Sequence, residues 1–208
     1  MWTIRFVLLG IFIVFLICSG YFLRRRQKYQ NFLENGVFNF VLVFCYNLLC
    51  YLLTGLPSAP GGIPVPGFFG NPASRVIFLI IGWILIGVSI LLMGTAIRQR
   101  KTLGGQNVKE GLLTGGLYRI FRHPIYTGVI LASLGVALVT RSWDGLLMLP
   151  LVYLLNMVQA LIEEKFDIGV RFPGQHQEYK KRTGMFGPIW VWGIVMGLLV
   201  AASLLHFG

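Results

Sequence analysis

The chain has 208 residues, of which 56% are hydrophobic and only 12% are charged. Soluble domains carry about 25% charged residues, so this composition argues against a soluble globular protein and indicates one that lies largely in a bilayer. The net charge of +11 does not indicate nucleic-acid binding, because the basic residues lie in blocks between apolar runs. The cysteines Cys18, Cys45 and Cys50 lie within apolar runs without metal-ligand spacing, so no metal site is predicted.

Six apolar runs predict an all-α, polytopic transmembrane bundle of five to six spans. The runs are Trp2 to Leu23, Gly36 to Leu56, Val76 to Ile97, Pro124 to Thr140, Leu146 to Ile162 and Ile189 to Phe207. The basic block 24–28 follows the first run instead of preceding it, which predicts a retained helix and not a signal peptide. The Pro- and Gly-rich segment 57–67 interrupts any regular structure after the second run.

The basic residues are distributed unevenly between the two sides of the predicted bundle. Alternating spans place segments 24–35, 98–123 and 163–188 on one side, and these hold fifteen of the 18 Lys and Arg residues. The positive-inside rule makes that side cytosolic and allows contact with anionic lipids. The sequence thus predicts a multi-pass protein of the bacterial inner membrane or the endoplasmic reticulum, with its long polar loops in the cytosol.

A first polar cluster, residues 115–128, lies where the fourth run begins. Pro124 suits the first helical turn, which places His123 at the helix entrance, where backbone N–H groups still need partners. Tyr126 follows within that turn. Because a helix start favours negative charge, the cluster predicts a site for a carboxylate-bearing ligand. The alternative is a basic membrane anchor with interfacial Tyr and His.

A second cluster, Glu163 and Glu164, ends the fifth run. Two carboxylates beside an apolar helix need cationic partners or a wet cavity, although they could also simply reach water. The tight turn 142–145 predicts an antiparallel hairpin of spans four and five. That hairpin would bring residue 123 beside residue 163.

A third segment, Phe172 to Arg182, is predicted to form a short amphipathic helix at the interface. Its basic end, Lys180, Lys181 and Arg182, also suits a simple anchor for anionic lipid.

These three segments, in this order and spacing, resemble the superfamily of isoprenylcysteine carboxyl methyltransferases and phospholipid methyltransferases. Its members combine Gly-x-Tyr-x-x-x-Arg-His-Pro-x-Tyr-x-Gly with a Glu-Glu pair and a later Glu-Tyr-Lys-Lys-Arg segment. The matching residues are Gly116, Tyr118, Arg122, His123, Pro124, Tyr126, Gly128, Glu163, Glu164, Glu178, Tyr179, Lys180, Lys181, Arg182 and Pro188. The resemblance covers roughly residues 103–188 and implies an integral membrane methyltransferase that uses S-adenosylmethionine.

The resemblance implies a cofactor pocket between the helical hairpin and the C-terminal segment. The residues implied to bind S-adenosylmethionine are His123, Tyr126, Glu164, Pro124, Tyr118 and Tyr179. For the chemistry, Glu163 is the candidate base for an amine acceptor. Arg119 or Arg122 would hold a substrate carboxylate or phosphate. The predicted organisation is a scaffold of three spans in residues 1–102, a catalytic core in 103–188 and a C-terminal helix in 189–208.

The predicted substrate is a lipid or prenylated molecule, with isoprenylcysteine-type carboxyl O-methylation placed first. Phosphatidylethanolamine-type N-methylation is the alternative. The chain departs from the family where relatives carry Arg or Lys before the Glu pair, since Gln159, Ala160 and Leu161 stand there, and also at His176. An NADPH-dependent sterol reductase and a non-enzymatic membrane protein are the remaining alternatives, and the oligomeric state stays open.

Overall fold

The computed structural model describes residues 2–29, 36–57, 72–100, 111–187 and 192. Within these ranges the chain is helical and contains no β-strand, which confirms the predicted all-α class. The helices are α1 (Trp2–Arg24), α2 (Gly36–Gly55), α3 (Pro72–Arg100), α4 (Pro124–Val139), α5 (Trp143–Glu163) and α6 (Pro173–Arg182). A 3₁₀ turn, Gly116–Arg119, precedes α4.

Three segments among the described residues are long and apolar enough to cross a membrane: Trp2–Arg24, Arg75–Arg100 and Trp143–Arg171. Val41–Gly55 and Pro124–Val139 are shorter apolar helices. Together they form a helical membrane bundle, whose outward faces carry large exposed hydrophobic side chains. The predicted sixth span, Ile189 to Phe207, lies outside the described residues apart from Trp192.

The predicted hairpin of spans four and five is present, but its turn is shorter than expected. Helix α5 begins at Trp143 instead of Leu146, because Ser142 caps it by accepting a 3.0 Å hydrogen bond from the Gly145 N–H. Helix α3 likewise extends beyond Val76 to Ile97 at both ends, from Pro72 to Arg100. Apolar runs locate these spans, while caps and polar flanks set where the helices end.

A buried polar cluster joins three elements at the end of the bundle where α1 begins. The Arg5 side chain, 1% exposed, lies 3.4 Å from the Asp144 carboxylate. Its Nη2 donates to the Leu56 carbonyl at 2.6 Å and to Ser142 Oγ at 3.1 Å, and its Nε donates to Leu53 at 3.2 Å. Arg5 therefore ties α1 to the end of α2 and to the α4–α5 turn, and partners inside the protein stabilise its charge in an apolar medium.

Glycines allow α3 and α4 to approach closely. A Cβ on Gly82 would lie 2.8 Å from the Gly135 carbonyl oxygen, and one on Gly135 would lie 2.7 Å from that of Gly82. Nearer the other end of the bundle, Ser89 Oγ donates to the Gly128 carbonyl at 2.8 Å. Such small-residue contacts are typical of packed membrane helices. They fix α4 against the middle of α3, with the first turns of α4 beside Ser89.

Candidate functional site

The backbone at the start of α4 is anchored to the segment that follows α6. The Arg122 N–H donates to the Gly184 carbonyl at 2.9 Å, and the His123 N–H donates to Met185 at 3.0 Å. His123 is the N-cap of α4, and Pro124 occupies the first turn, where its missing N–H leaves no donor unpaired. The three sequence motifs thus meet at one end of the bundle.

Glu164 lies at the centre of this meeting point, with its side chain only 3% exposed. Its Oε1 accepts from Arg122 Nε at 2.9 Å and lies 3.1 Å from His123 Nε2. Its Oε2 lies 3.3 Å from Lys180 Nζ and 3.6 Å from His176 Nε2, both on α6. The hairpin geometry predicted Arg122 and His123 as partners, whereas sequence reasoning missed His176 and Lys180. A carboxylate this buried needs such a cationic setting.

Glu163 faces the other side of the His123 ring. It accepts a short hydrogen bond from the Tyr126 hydroxyl, and its Oε2 lies 3.8 Å from His123 Nδ1. The rings of His123 and Tyr126 stack, with centroids 5.6 Å apart. The Glu163 side chain is 24% exposed, so this carboxylate is accessible where Glu164 is enclosed. Two adjacent carboxylates therefore have different environments, separated by one imidazole.

A π-helical turn, Glu164–Ile168, continues α5 and places Glu164 within the site. The Gly169 N–H donates to the Glu164 carbonyl, which closes the wider turn. A Cβ on Gly169 would lie 2.6 Å from that carbonyl oxygen and 3.4 Å from His176 Nδ1. Such turns occur frequently at functional sites. No periodicity in the sequence indicated this one.

Asp167, in the same π-helical turn, connects the site to the first helix. Its buried carboxylate forms a salt bridge with Arg26, which follows α1, and lies 3.2 Å from Arg171 Nε. Sequence analysis placed Arg26 in a basic, stop-transfer block and assigned Asp167 no role. One signal for Asp167 was present in the sequence: it is an acidic residue next to a span, in a chain with only 7 Asp and Glu residues.

Arg122 and Arg119, both predicted to hold substrate, have different surroundings. The Arg122 Nη1 donates to the Thr183 carbonyl at 2.6 Å and to Lys180 at 3.4 Å, so Arg122 caps the end of α6 while binding Glu164. The Arg119 side chain is exposed, and its carbonyl accepts from Thr183 Oγ1 at 3.3 Å. The guanidinium exposed to an approaching ligand is therefore that of Arg119.

Tyr118 and Tyr179 connect the 3₁₀ turn to α3 and α6. The buried Tyr118 hydroxyl lies 3.5 Å from the Ala96 carbonyl, and the Tyr179 hydroxyl donates to the Tyr118 carbonyl. Burial raises the pKa of both phenols, so both remain protonated at neutral pH. The Arg100 guanidinium lies 5.9 Å from the Tyr118 ring centroid and interacts electrostatically with Glu163. Sequence reasoning counted Arg100 only as a loop charge.

His176 is one of the positions at which the chain departs from the family motif, and it is 5% exposed. Burial lowers its pKa, with Lys180 acting in the same direction and Glu164 opposing. The imidazole of His176 is therefore neutral at pH 7. Among the described residues, no group of His, Cys, Asp and Glu side chains is arranged to hold a metal ion.

A comparison with known protein families gives a match over part of the chain. Residues 77–168 match the family model described as phospholipid methyltransferase. No curated protein and no solved structure matched the chain. The matched range runs from α3 through the start of α4 to the π-helical turn, and so contains His123, Glu163 and Glu164. Residues 77–168 therefore resemble the phospholipid methyltransferase domain, which belongs to the superfamily of integral membrane methyltransferases.

Proposed function

We propose that this membrane methyltransferase uses S-adenosylmethionine and methylates an amine in a lipid headgroup. The observation that carries the proposal is the pair of neighbouring carboxylates with unlike environments. Glu164 is enclosed by cations, whereas Glu163 is accessible and is positioned by Tyr126. An enclosed carboxylate suits a bound cofactor, and an accessible one suits an incoming substrate.

The residues around Glu164 fit the amino-acid part of S-adenosylmethionine. A buried carboxylate is a strong acceptor for an ammonium group. His123, Lys180 and the first-turn N–H groups of Ile125 and Tyr126 suit a carboxylate, because a helix start favours anions. Pro124 fixes the backbone of that turn, while Tyr118 and Tyr179 hold the surrounding segments together through hydrogen bonds from their hydroxyls to backbone carbonyls. When bound, the cofactor supplies an electrophilic methyl group on a sulfonium sulfur.

Glu163 favours an amine acceptor over a carboxylate. An amine reacts through its neutral form, so a proton must leave, and a carboxylate within hydrogen-bonding reach can take it. Tyr126 holds the Glu163 carboxylate in place by donating to its Oε1. A substrate carboxylate would instead be repelled by Glu163 at short range. We therefore place phosphatidylethanolamine-type N-methylation ahead of carboxyl O-methylation, which reverses the order that the sequence favoured.

Isoprenylcysteine-type carboxyl methylation remains the second candidate because of two arginines. Arg100 lies beside Tyr118 and interacts with Glu163, and the Arg119 side chain is exposed at the same end of the bundle. Either guanidinium would bind a carboxylate, or equally the phosphate of a phospholipid. With the site at the basic end, we propose that the cofactor enters from the cytosol and the lipid enters sideways between helices.

The acceptor is tested with the purified protein, methyl-labelled S-adenosylmethionine, and vesicles that contain either phosphatidylethanolamine or a prenylated cysteine. We expect label in phosphatidylethanolamine that resists mild base, because an N-methyl group is not hydrolysed. Glu163→Gln should reduce this transfer at least tenfold while S-adenosylhomocysteine binding is retained. Label found only in the prenylated acceptor and released by base as methanol would show that the acceptor is a carboxylate and not an amine.

A further inference from the structure

Two buried polar atoms at the site face each other without a hydrogen bond. Glu164 Oε2 and His176 Nε2 each have no hydrogen-bond partner within the described part of the chain. They lie 3.6 Å apart, and Lys180 Nζ makes an ionic contact with the Glu164 oxygen at 3.3 Å. Buried polar atoms are nearly always hydrogen-bonded, so a facing pair of this kind indicates a position for a ligand.

The protonation state of His176 determines whether the ligand must supply hydrogen-bond donors or acceptors. At neutral pH this imidazole carries one proton. Its Nδ1 lies against Gly169, where a Cβ would be only 3.4 Å from the nitrogen. A bound ammonium would select the tautomer with the proton on Nδ1, because that tautomer leaves Nε2 as an acceptor beside the Glu164 carboxylate. Two acceptors 3.6 Å apart suit one group with several donors, and an ammonium has three.

We propose that His176 is a cofactor-binding residue, and that its Nε2 and Glu164 Oε2 together accept hydrogen bonds from the α-ammonium of S-adenosylmethionine. The inference rests on the proposed cofactor. Helix α6 thereby contributes directly to the pocket, in addition to supporting it through Tyr179 and Lys180. The neutral His176 adds an acceptor without adding its own positive charge to that of Lys180.

The test compares His176→Phe, which keeps a planar ring without nitrogen, with His176→Gln, which retains an acceptor at about the reach of Nε2. Calorimetry with S-adenosylhomocysteine should show a roughly ten- to hundredfold loss of affinity for the Phe variant, the usual loss for a hydrogen bond to a charged group. The Gln variant should keep most of the affinity. Gln177→Ala, on the exposed side of α6, is the matched control and should bind like the parent.

A second ligand separates recognition of the ammonium from a structural effect. The deamino analogue of S-adenosylhomocysteine keeps the carboxylate and lacks the ammonium, so the parent and His176→Phe should bind it equally. Equal losses for both ligands, or S-adenosylhomocysteine binding by the Phe variant at parental affinity, would overturn the role of His176. A parent protein that fails to bind S-adenosylhomocysteine would instead overturn the proposed function itself.

Discussion

Arg122 Nε donates to Glu164 Oε1 at 2.9 Å, and the same guanidinium donates to the last carbonyls of α6. One side chain thus joins the start of α4, the end of α5 and the end of α6. Removing one member of a mostly buried ion pair costs about 3–5 kcal/mol. Arg122→Gln should therefore lower the melting temperature in detergent and also weaken S-adenosylhomocysteine binding.

Arg119→Gln is the control for Arg122, because the Arg119 side chain is exposed. It should leave the melting temperature unchanged. Because the Arg119 side chain is proposed to bind substrate, we expect the substitution to raise KM. An Arg122→Gln variant that melts at the parental temperature would show that the contact between Arg122 and Glu164 does not stabilise the fold.

Glu164→Gln keeps the shape of the side chain and removes its charge. We expect affinity for S-adenosylhomocysteine to fall roughly ten- to hundredfold, since an ammonium would lose a charged acceptor. Glu178→Gln is the control, because Glu178 is exposed and pairs with Lys181 on the surface of α6. Parental binding by Glu164→Gln together with lost binding by Glu163→Gln would exchange the roles of the two carboxylates.

Gly169→Ala should disturb the π-helical turn. Its new Cβ would lie 2.6 Å from the Glu164 carbonyl oxygen, so Glu164 or α6 must shift. We expect a lower melting temperature and weaker S-adenosylhomocysteine binding in the same variant. Gly174→Ala provides a close control on α6, since a Cβ there meets no atom within 4 Å. Similar behaviour of the two variants would show that the turn accommodates a methyl group.

Asp144→Asn should destabilise the bundle at the end far from the site. Arg5 and Asp144 are almost fully buried, and breaking such a pair costs about 3–5 kcal/mol. Thermal unfolding should shift to lower temperature, while S-adenosylhomocysteine affinity of the folded protein stays at the parental value. Arg75→Gln, an exposed arginine of α3, should change neither quantity. A loss of ligand affinity in Asp144→Asn would mean that the two ends are coupled.

Cysteine labelling tests the proposed orientation. In a background without Cys18, Cys45 and Cys50, Lys28→Cys and Gln177→Cys should react from the cytosolic side, because the segment after α1 and α6 lie at the same end of the bundle. Thr140→Cys, at the α4–α5 turn, should react only from the opposite side. Labelling of Lys28→Cys and Gln177→Cys from opposite faces would contradict the arrangement.

Local signals in the sequence were sufficient to locate the described spans and to bring His123 to the Glu pair. A short turn between two apolar runs predicts a hairpin, and a hairpin brings His123 to the Glu pair. The beginning of α5 was misplaced by three residues because Trp143, Asp144 and Gly145 resemble a turn, whereas Ser142 caps a helix there. Patterns of apolar residues do not record such caps.

The remaining contacts depend on how helices rotate against one another, which periodicity does not determine. Arg26 and Asp167 are separated by 141 positions, and Arg5 and Asp144 by 139. His176 and Lys180 contact Glu164 because the end of α6 lies beside Arg122, before the start of α4, and because the π-helical turn alters the path of α5. None of these structural features produces a repeat or a characteristic residue spacing that the sequence would reveal.

The salt bridge between Arg26 and Asp167 has a consequence for how this protein can be shortened. The family match begins at residue 77, and the predicted catalytic core begins at residue 103. A fragment starting at either point would lack α1 and would remove one of the arginines that neutralise Asp167, three residues from Glu164. It would also remove Ser19, whose hydroxyl accepts a 2.9 Å hydrogen bond from Nε2 of Gln159 in α5. The N-terminal helix therefore supports the segment that carries Glu164, although most of its own surface faces outward, and a shortened protein would need that helix supplied as a separate peptide.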